Sequence, residues 1–259
     1  MNGVNKTLYI PLYGKSYVSK KGLFINDKKA EYIWDHEGFE LKGKAKSKWL
    51  AYYMGIRAAI FDDWLREQIK KMSDAVVIHI GCGLDSRALR LGNVERMWYD
   101  IDITEVINER KKYYSETESY KMIACDVRSH EWIDPIDSRE AIVVIEGVSM
   151  YLAPEESKKL AELLDKQFDK ISLLLDCYTD LGAKLSKHRN PINEVGVSEV
   201  YGAESPSFFE SENLQYIKEH DMTPKKYINE LRGVERAIFK GLYAGKLSKS
   251  LYKMFEYKK

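Results

Sequence analysis

The fold is decided by residues 75–83, which read Ala75-Val76-Val77-Ile78-His79-Ile80-Gly81-Cys82-Gly83. The first six residues are mostly apolar and β-branched, which is typical of a strand buried inside a sheet. The two glycines allow a sharp turn and a close approach to a ligand, and a helix that follows points its free N–H groups at that ligand. Residues 86–91 have the pattern of this helix. The stretch therefore predicts a ligand-binding turn in an α/β protein, with a plain tight turn as the alternative.

Strand and helix patterns alternate along the rest of the central region. After the first strand, we predict strands over residues 95–101, 120–127, 141–145 and 171–175. A helix over residues 104–114 would have Thr104 as its N-cap, and Pro154 would begin another helix at the N1 position. Alternation of this kind predicts a doubly wound, mostly parallel sheet that is covered on both faces.

The two ends of the chain have different patterns. The first 45 residues read as irregular, basic and aromatic, and residues 47–72 carry an apolar stripe at helical spacing. We predict one domain with a helical N-terminal extension that acts as a lid (1–72), a cofactor-binding core (73–180), a lid insertion rich in turn formers (181–209) and a C-terminal end of the sheet (210–259). Within the last part, we predict a helix over residues 210–220 and a final strand over residues 250–257.

The composition excludes several classes of partner. The 259 residues include 41 Lys and Arg against 40 Asp and Glu, which gives a formal net charge of +1. So balanced a charge does not favour nucleic acid or an anionic membrane as a binding partner. The 3 cysteines are widely spaced, and no signal-peptide or membrane-spanning pattern is visible. We expect a cytoplasmic, soluble protein without a metal site, and the sequence does not predict an oligomeric state.

Acidic residues follow the predicted strands. The second strand ends in Tyr99-Asp100-Ile101-Asp102, and Asp102 lies 102 − 83 = 19 residues after Gly83, about the spacing at which a carboxylate reaches a ribose. Only one of the two aspartates can hold that position, and either could instead cap the next helix. The third glycine of a dinucleotide fingerprint is absent, because Ser86 stands in its place.

Two further acids end the next strands. Asp126 can accept a hydrogen bond from an adenine amino group while Val127 lies against the ring. Glu146 follows five apolar residues and needs either a ligand or a buried ion pair, for which Arg57 and Arg87 are the candidates.

At these residues the chain resembles the leucine carboxyl methyltransferase family, whose bacterial branch includes tetracenomycin-type polyketide O-methyltransferases. The resembling segments are residues 80–87, 98–102, 126–132 and 146–152, and their order and spacing match over roughly residues 47–168. The resemblance implies a seven-stranded, Rossmann-like class I methyltransferase fold with S-adenosylmethionine as cofactor.

The resemblance also implies roles for individual residues. Gly81 and Gly83 would form the loop beside the methionine part of the cofactor, and Asp102 rather than Asp100 would hold the ribose. Asp126 and Val127 would hold the adenine, and Glu146 would lie near the reaction centre. Arg57, with Lys15 assisting, would pair with the cofactor carboxylate. The alternative for Arg57, which lies on the apolar stripe of its helix, is that its side chain extends to solvent.

We therefore expect methyl transfer to an oxygen, with a carboxylate of a small molecule favoured over a hydroxyl and a protein C-terminus possible. A carboxylate is already ionised at neutral pH, so no general base is required. Tyr151 would face the acceptor or else pack against the following helix, and His188 would be the candidate base for a phenol. The aromatic residues of the extension would line the acceptor pocket: Tyr13, Tyr17, Phe24, Trp34 and Trp49. The competing functions are a nicotinamide-dependent oxidoreductase and a non-catalytic protein that binds S-adenosylmethionine.

Overall fold

A computed structural model of the protein describes residues 8–41, 43–92, 96–189 and 199–259, and its seven strands form one sheet. The strands are β1 (Val76–Ile80), β2 (Trp98–Asp102), β3 (Tyr120–Ala124), β4 (Glu140–Ile145), β5 (Lys170–Tyr178), β6 (Gln215–Glu219) and β7 (Tyr252–Lys258). Their order across the sheet is β3-β2-β1-β4-β5-β7-β6. The first five are parallel, and β7 pairs antiparallel with both β5 and β6. The predicted doubly wound, mostly parallel sheet is confirmed.

Helices cover both faces of this sheet. They are α1 (Tyr9–Lys20), α2 (Lys28–Glu37), α3 (Lys48–Lys71), α4 (Arg87–Arg90), α5 (Thr104–Arg110), α6 (Pro154–Gln167), α7 (Asp180–Arg189), α8 (Lys225–Ile228), α9 (Gly233–Leu242) and α10 (Lys246–Lys249). On one face α3 buries Phe61 and Leu65 against the sheet, and on the other α6 buries Leu160 and Leu164. None of these helices is long and apolar enough to cross a membrane.

Local sequence signals explain where several helices begin. The side chain of Ser47 accepts the Trp49 N–H at the start of α3, and Asp27 accepts the Ala30 N–H at the start of α2. Pro154 occupies the first position of α6, as predicted. Thr104 is the first residue of α5 rather than its N-cap, because Ile103 takes the N-cap position and makes no side-chain cap. That prediction was wrong.

The N-terminal extension is helical from Tyr9 onward, so the expectation of an irregular first 45 residues was also wrong. Its helix α1 packs tightly on α3. A Cβ atom built on Gly14 would lie 2.7 Å from the Cβ of Met54, so two helices approach each other where one side chain is missing. This packing places α1 over the edge of the sheet where the parallel strands end.

The C-terminal third differs most from the sequence prediction. The helix predicted over residues 210–220 is wrong, because Gln215–Glu219 form the edge strand β6, whose backbone pairs with β7. The predicted insertion begins with the helix α7, and a 3-10 helix follows at Pro206–Phe209. The part of the insertion over residues 190–198 lies outside the described residues. The predicted final strand is confirmed as β7.

Candidate active site

A cavity of about 950 Å³ opens at the carboxyl ends of the parallel strands. It lies between these strand ends and helices α1 and α3, where ligands bind in open α/β sheets. The nine site residues predicted from the sequence all line it: Lys15, Arg57, Gly81, Gly83, Asp102, Asp126, Val127, Glu146 and Tyr151. Their roles toward a ligand remain predictions, and the geometry around each one follows.

The glycine turn after β1 has no room for side chains. Gly81 and Gly83 have φ angles of +68° and +51°, a region that L side chains rarely adopt. A Cβ atom on Gly81 would also lie only 2.0 Å from Cγ2 of Val148. The turn therefore presents bare backbone to the cavity, which is the form of cradle that a closely approaching ligand needs.

The two aspartates of β2 have separate environments. Asp102 lines the cavity and accepts the N–H groups of Gly83 at 2.9 Å and Ile103 at 2.8 Å, while burial raises its pKa to about 6. Asp100 points into the interior, where it accepts hydrogen bonds from Arg110 and from Trp98 Nε1. Burial opposes ionisation of Asp100, but the Arg110 guanidinium outweighs it and holds the pKa at about 2. Of the two candidates, only Asp102 lines the cavity, and neither caps α5.

Asp126 and Val127 lie just beyond the end of β3, on the cavity wall. The Asp126 carboxylate already has a partner, since Arg128 Nε donates to it at 2.9 Å and lowers its pKa. The Val127 carbonyl accepts a hydrogen bond from Trp132 Nε1 at 3.2 Å, which fixes the backbone at this point. An adenine amino group would therefore share Asp126 with Arg128.

Glu146 forms the buried ion pair that the sequence left open, and it does so with both candidate partners. Arg57 Nε lies 3.1 Å from Oε1 of Glu146, and Arg87 donates to Oε2. Burial opposes the ionised form, but Arg87 and Arg57 outweigh it and hold the pKa of Glu146 at about 2. Arg57 is 5% exposed, so its side chain does not extend to solvent. Glu146 still lines the cavity, so an ion pair and a ligand contact are compatible.

These three residues belong to a larger group of buried charges, which we call the ion-pair network. Lys15 pairs with Asp85 at 2.7 Å, Arg87 with Asp62 at 2.8 Å, and Arg57 with Asp176 at 3.1 Å. Arg90 contacts three of the network's carboxylates. The members are four cations, Lys15, Arg57, Arg87 and Arg90, and five carboxylates, Asp27, Asp62, Asp85, Glu146 and Asp176. Such buried charges persist only because each one is paired.

Asp176 is the member of this network that the sequence analysis missed most plainly. It is fully buried in β5 and accepts hydrogen bonds from the Gly147 N–H at 2.6 Å and the Tyr252 hydroxyl at 2.7 Å, besides the Arg57 pair. Burial raises its pKa. The signal was present in the sequence, because Asp176 follows three leucines as Glu146 follows five apolar residues.

Tyrosines form the cavity wall beyond Arg57. Tyr151 lies on a 3-10 helix after β4, and with Tyr53, Tyr178 and Tyr252 it lines this part of the cavity. Burial raises the pKa of both Tyr53 and Tyr151. The aromatic residues predicted for this wall are elsewhere. Tyr13 packs against Trp34, Tyr17 and Phe24 pack around Tyr52, and Trp49 lies against Tyr243. The side chain of His188 lies outside the described residues.

Residues 12–165 match the model of the leucine carboxyl methyltransferase family. The chain belongs to this family. It is accordingly an S-adenosylmethionine-dependent methyltransferase, and S-adenosylmethionine is its cofactor. Family membership decides against the nicotinamide-dependent alternative. The bare-backbone turn at Gly81 and the cavity-facing carboxylate of Asp102 fit this cofactor, since one leaves space for it and the other can accept hydrogen bonds from ribose hydroxyls.

Two curated relatives are methyltransferases as well. The chain is 25% identical over 250 residues to the tetracenomycin polyketide synthesis O-methyltransferase TcmP of Streptomyces glaucescens. This alignment covers 93% of this chain and 92% of the relative. The chain is 24% identical over 187 residues to the S-adenosyl-L-methionine-dependent methyltransferase dpfgK of Gibberella zeae, with 65% and 62% covered. The first likeness supports the bacterial branch of the family.

Solved structures show the same fold at low identity. A DUF574 family protein from Streptomyces avermitilis superposes with a TM-score of 0.57 at 11% identity, covering 90% of each chain. Magnesium protoporphyrin IX methyltransferase from Synechocystis, solved with bound S-adenosylhomocysteine, has a TM-score of 0.51 at 12% identity and covers 95% of this chain and 97% of its own. The fold is that of class I methyltransferases.

Proposed function

We propose that the chain methylates an oxygen of a small-molecule acceptor, and that this oxygen belongs to a carboxylate. The observation that carries the proposal is the wall of four tyrosines at one end of the cavity, of which Tyr252 is buried and the others are half-buried. The chain would hold the methyl donor at the other end and transfer the methyl group directly to the acceptor in line.

The order of the strands supports two compartments. Across the sheet, Asp126 follows β3, Asp102 ends β2 and Gly81 follows β1. Glu146 follows β4, and beyond it come Tyr178 on β5 and Tyr252 on β7, which are paired in register. The residues suited to adenosine thus lie on one side of Glu146, and the tyrosines lie on the other.

The state of the tyrosines favours an acceptor that is already ionised. With the pKa of Tyr53 and Tyr151 raised by burial, both phenols stay protonated at neutral pH, so they can donate hydrogen bonds to a negative oxygen but are not ionised to act as bases. A carboxylic acid has a pKa near 4 and needs only such donors, whereas an aliphatic or phenolic hydroxyl needs a base. We assign Tyr151 the role of orienting the acceptor oxygen.

The bound cofactor supplies a sulfonium-activated methyl group, and the protein holds the donor and the acceptor in the correct relative position. Holding two reactants in line lowers the barrier by up to about 7–11 kcal/mol in favourable cases. Gly81, Gly83 and Asp102 would fix the donor, Tyr151 would fix the acceptor, and α1 and α3 would keep water away from both.

The test uses methyl-labelled S-adenosylmethionine, the full-length protein and a cell extract. We expect transferred label in the small-molecule fraction after ultrafiltration, and we expect mild alkali to release it as volatile methanol, as for a methyl ester, which separates it from unreacted S-adenosylmethionine. Tyr151→Phe should lower the amount of ester while S-adenosylhomocysteine binding stays unchanged. The matched control is Tyr257→Phe, which removes a phenol that bonds the Pro206 carbonyl away from the cavity.

Each competing function gives a different result. Label that resists alkali would indicate a hydroxyl acceptor, and label retained with protein would indicate a protein C-terminus. Binding of S-adenosylmethionine without any transfer to the extract would favour the non-catalytic alternative.

A further inference from the structure

The Arg57 guanidinium is held on two sides. Its Nε faces Glu146 at 3.1 Å, and its Nη1 donates to Asp176 at 3.1 Å and to the Tyr252 hydroxyl at 3.0 Å. Among the hydrogen bonds of the described residues, none uses Nη2. Arg57 lines the cavity, so the guanidinium has one nitrogen to offer to a ligand.

Asp176 is the centre of this arrangement. One of its oxygens accepts the Gly147 N–H at 2.6 Å, and the other accepts from Arg57 and from Tyr252. Gly147, at a φ of +73°, leaves the space that the guanidinium fills, since a Cβ there would lie 3.3 Å from Nη1 and 3.5 Å from Nη2. The carboxylate therefore fixes both the guanidinium and the backbone that Arg57 packs against.

Tyr252 connects this group to the opposite end of the cavity. Its hydroxyl belongs to the Arg57 and Asp176 cluster, while its ring makes an edge-to-face contact with Tyr178 at 4.9 Å between centroids. Through Tyr252, strand β7 thus contacts both the Arg57 and Asp176 cluster and the tyrosines of the cavity wall.

We propose that Asp176 and Tyr252 are positioning residues that aim Arg57 at the carboxylate of the methyl donor. The inference rests on the proposed function and on the pairing of Arg57 with that carboxylate, which the family resemblance implies. Because Nε and Nη1 are engaged with protein groups, Nη2 is the nitrogen that can donate to a ligand carboxylate, and such a charge-assisted hydrogen bond is strong only when it is well aligned. Asp176 and Tyr252 provide that orientation from the side away from the ligand.

The test compares two ligands that differ at the amino-acid end. S-adenosylhomocysteine carries the carboxylate, and 5′-methylthioadenosine has the same adenosine and thioether without it. We expect Asp176→Asn and Tyr252→Phe each to weaken S-adenosylhomocysteine binding by about tenfold or more, because a charge-assisted hydrogen bond is misaligned. Binding of 5′-methylthioadenosine should change by less than about twofold in both variants. The control Tyr257→Phe, on the same strand, should change neither affinity.

The outcomes separate this inference from the proposed function. If the unmodified protein fails to bind S-adenosylhomocysteine, the proposed function is wrong. If it binds, and the variants lose affinity for both ligands equally or for neither, the positioning roles are wrong. Because Asp176→Asn could impair folding, thermal unfolding is measured beside each titration. Tyr252→Phe removes a single oxygen atom, so this variant decides the test if Asp176→Asn does not fold.

A double variant gives an independent answer. If Asp176 acts through Arg57, then Arg57→Gln combined with Asp176→Asn should bind S-adenosylhomocysteine within about twofold of Arg57→Gln alone. Additive losses would show that Asp176 acts on the ligand by another route, which would overturn the inference.

Discussion

The backbone N–H of Gly83 donates a hydrogen bond to Oδ2 of Asp102 at 2.9 Å. This bond ties the turn after β1 to the end of β2, and the Ile103 N–H secures the other carboxylate oxygen at 2.8 Å. Each oxygen keeps a lone pair for further donors. The glycine turn and the predicted ribose contact are therefore one structural unit.

The first prediction concerns pH. Because burial raises the pKa of Asp102 to about 6, the carboxylate becomes protonated in mild acid and can no longer accept from two ribose hydroxyls. Affinity for S-adenosylhomocysteine should be constant above this pH and should fall by at most about tenfold per pH unit below it. Calorimetric titration between about pH 5 and pH 8 measures this. Asp102→Asn should bind more weakly by about 1–3 kcal/mol and show no such pH step. A flat profile for the unmodified protein would remove Asp102 from the site.

The second prediction separates the two aspartates of β2. Asp100→Asn breaks the buried pair with Arg110, so it should lower the free energy of unfolding by about 3–5 kcal/mol in urea denaturation. Its folded-state pKa of about 2 lies below the ordinary value of 3.8, so Asp100 stabilises the fold fully above pH 3.8, and this contribution is lost as the pH falls through 2. The variant should therefore lose less stability in acid than the unmodified protein. Asp169→Asn, at an exposed pair with Arg139, serves as the control and should behave like the unmodified protein.

The third prediction uses two glycines with similar backbone angles. Gly92 has a φ of +86°, and a Cβ added to it would meet no heavy atom within 4 Å, whereas the same atom on Gly81 would lie 2.0 Å from Val148. Gly92→Ala should cost only backbone strain, about 1–2 kcal/mol. Gly81→Ala should cost more and should also weaken S-adenosylhomocysteine binding. Adding Val148→Ala should recover part of the loss, as thermal unfolding would show. Equal losses of stability in the two single variants would mean that the turn can accommodate a Cβ atom at Gly81.

The fourth prediction addresses Glu146. Replacing it with Gln leaves Arg57 and Arg87 buried with one carboxylate fewer, which should destabilise the fold by about 3–5 kcal/mol. Salt should change this loss little, since buried charges are poorly screened. Glu219→Gln, at an exposed pair with Lys253, should leave stability almost unchanged in the same urea titration. A small effect at Glu146 would show that its two arginines find other partners.

The central sheet was predictable because its signals are local. The β-branched run of β1, the apolar β4 and Pro154 at the start of α6 each specify their element within a few residues. The strand β6 was not predictable in this way, since its backbone pairs with β7, from Glu219 with Phe255 to Gln215 with Lys258, which is far along the chain. Helix α1 was missed because it is stabilised by packing on α3 rather than by a strong pattern of its own.

The same division applies to the site. Gly81, Asp102 and Glu146 stand directly at strand ends, where their chemistry is visible in the sequence. Asp176 directly follows the strand predicted over residues 171–175 and was overlooked, although β5 itself continues to Tyr178. The pairing of Arg90 with Asp27 and Asp62 could not be predicted from the sequence, because it joins segments that lie far apart in the chain.

The ion-pair network has a consequence for how the protein assembles. Its members come from α1, the start of α2, α3, the turn after β1, α4, the residue that follows β4, and strand β5. If the N-terminal helices detach, Asp85 loses Lys15 and Arg90 loses Asp27, so the buried charges that remain have fewer partners of opposite sign. Partial opening is therefore costly, so the N-terminal helices and the sheet should lose hydrogen-exchange protection together. We therefore expect the cofactor pocket to form only when the N-terminal helices and the sheet are both folded, so that a partly folded chain does not bind the methyl donor.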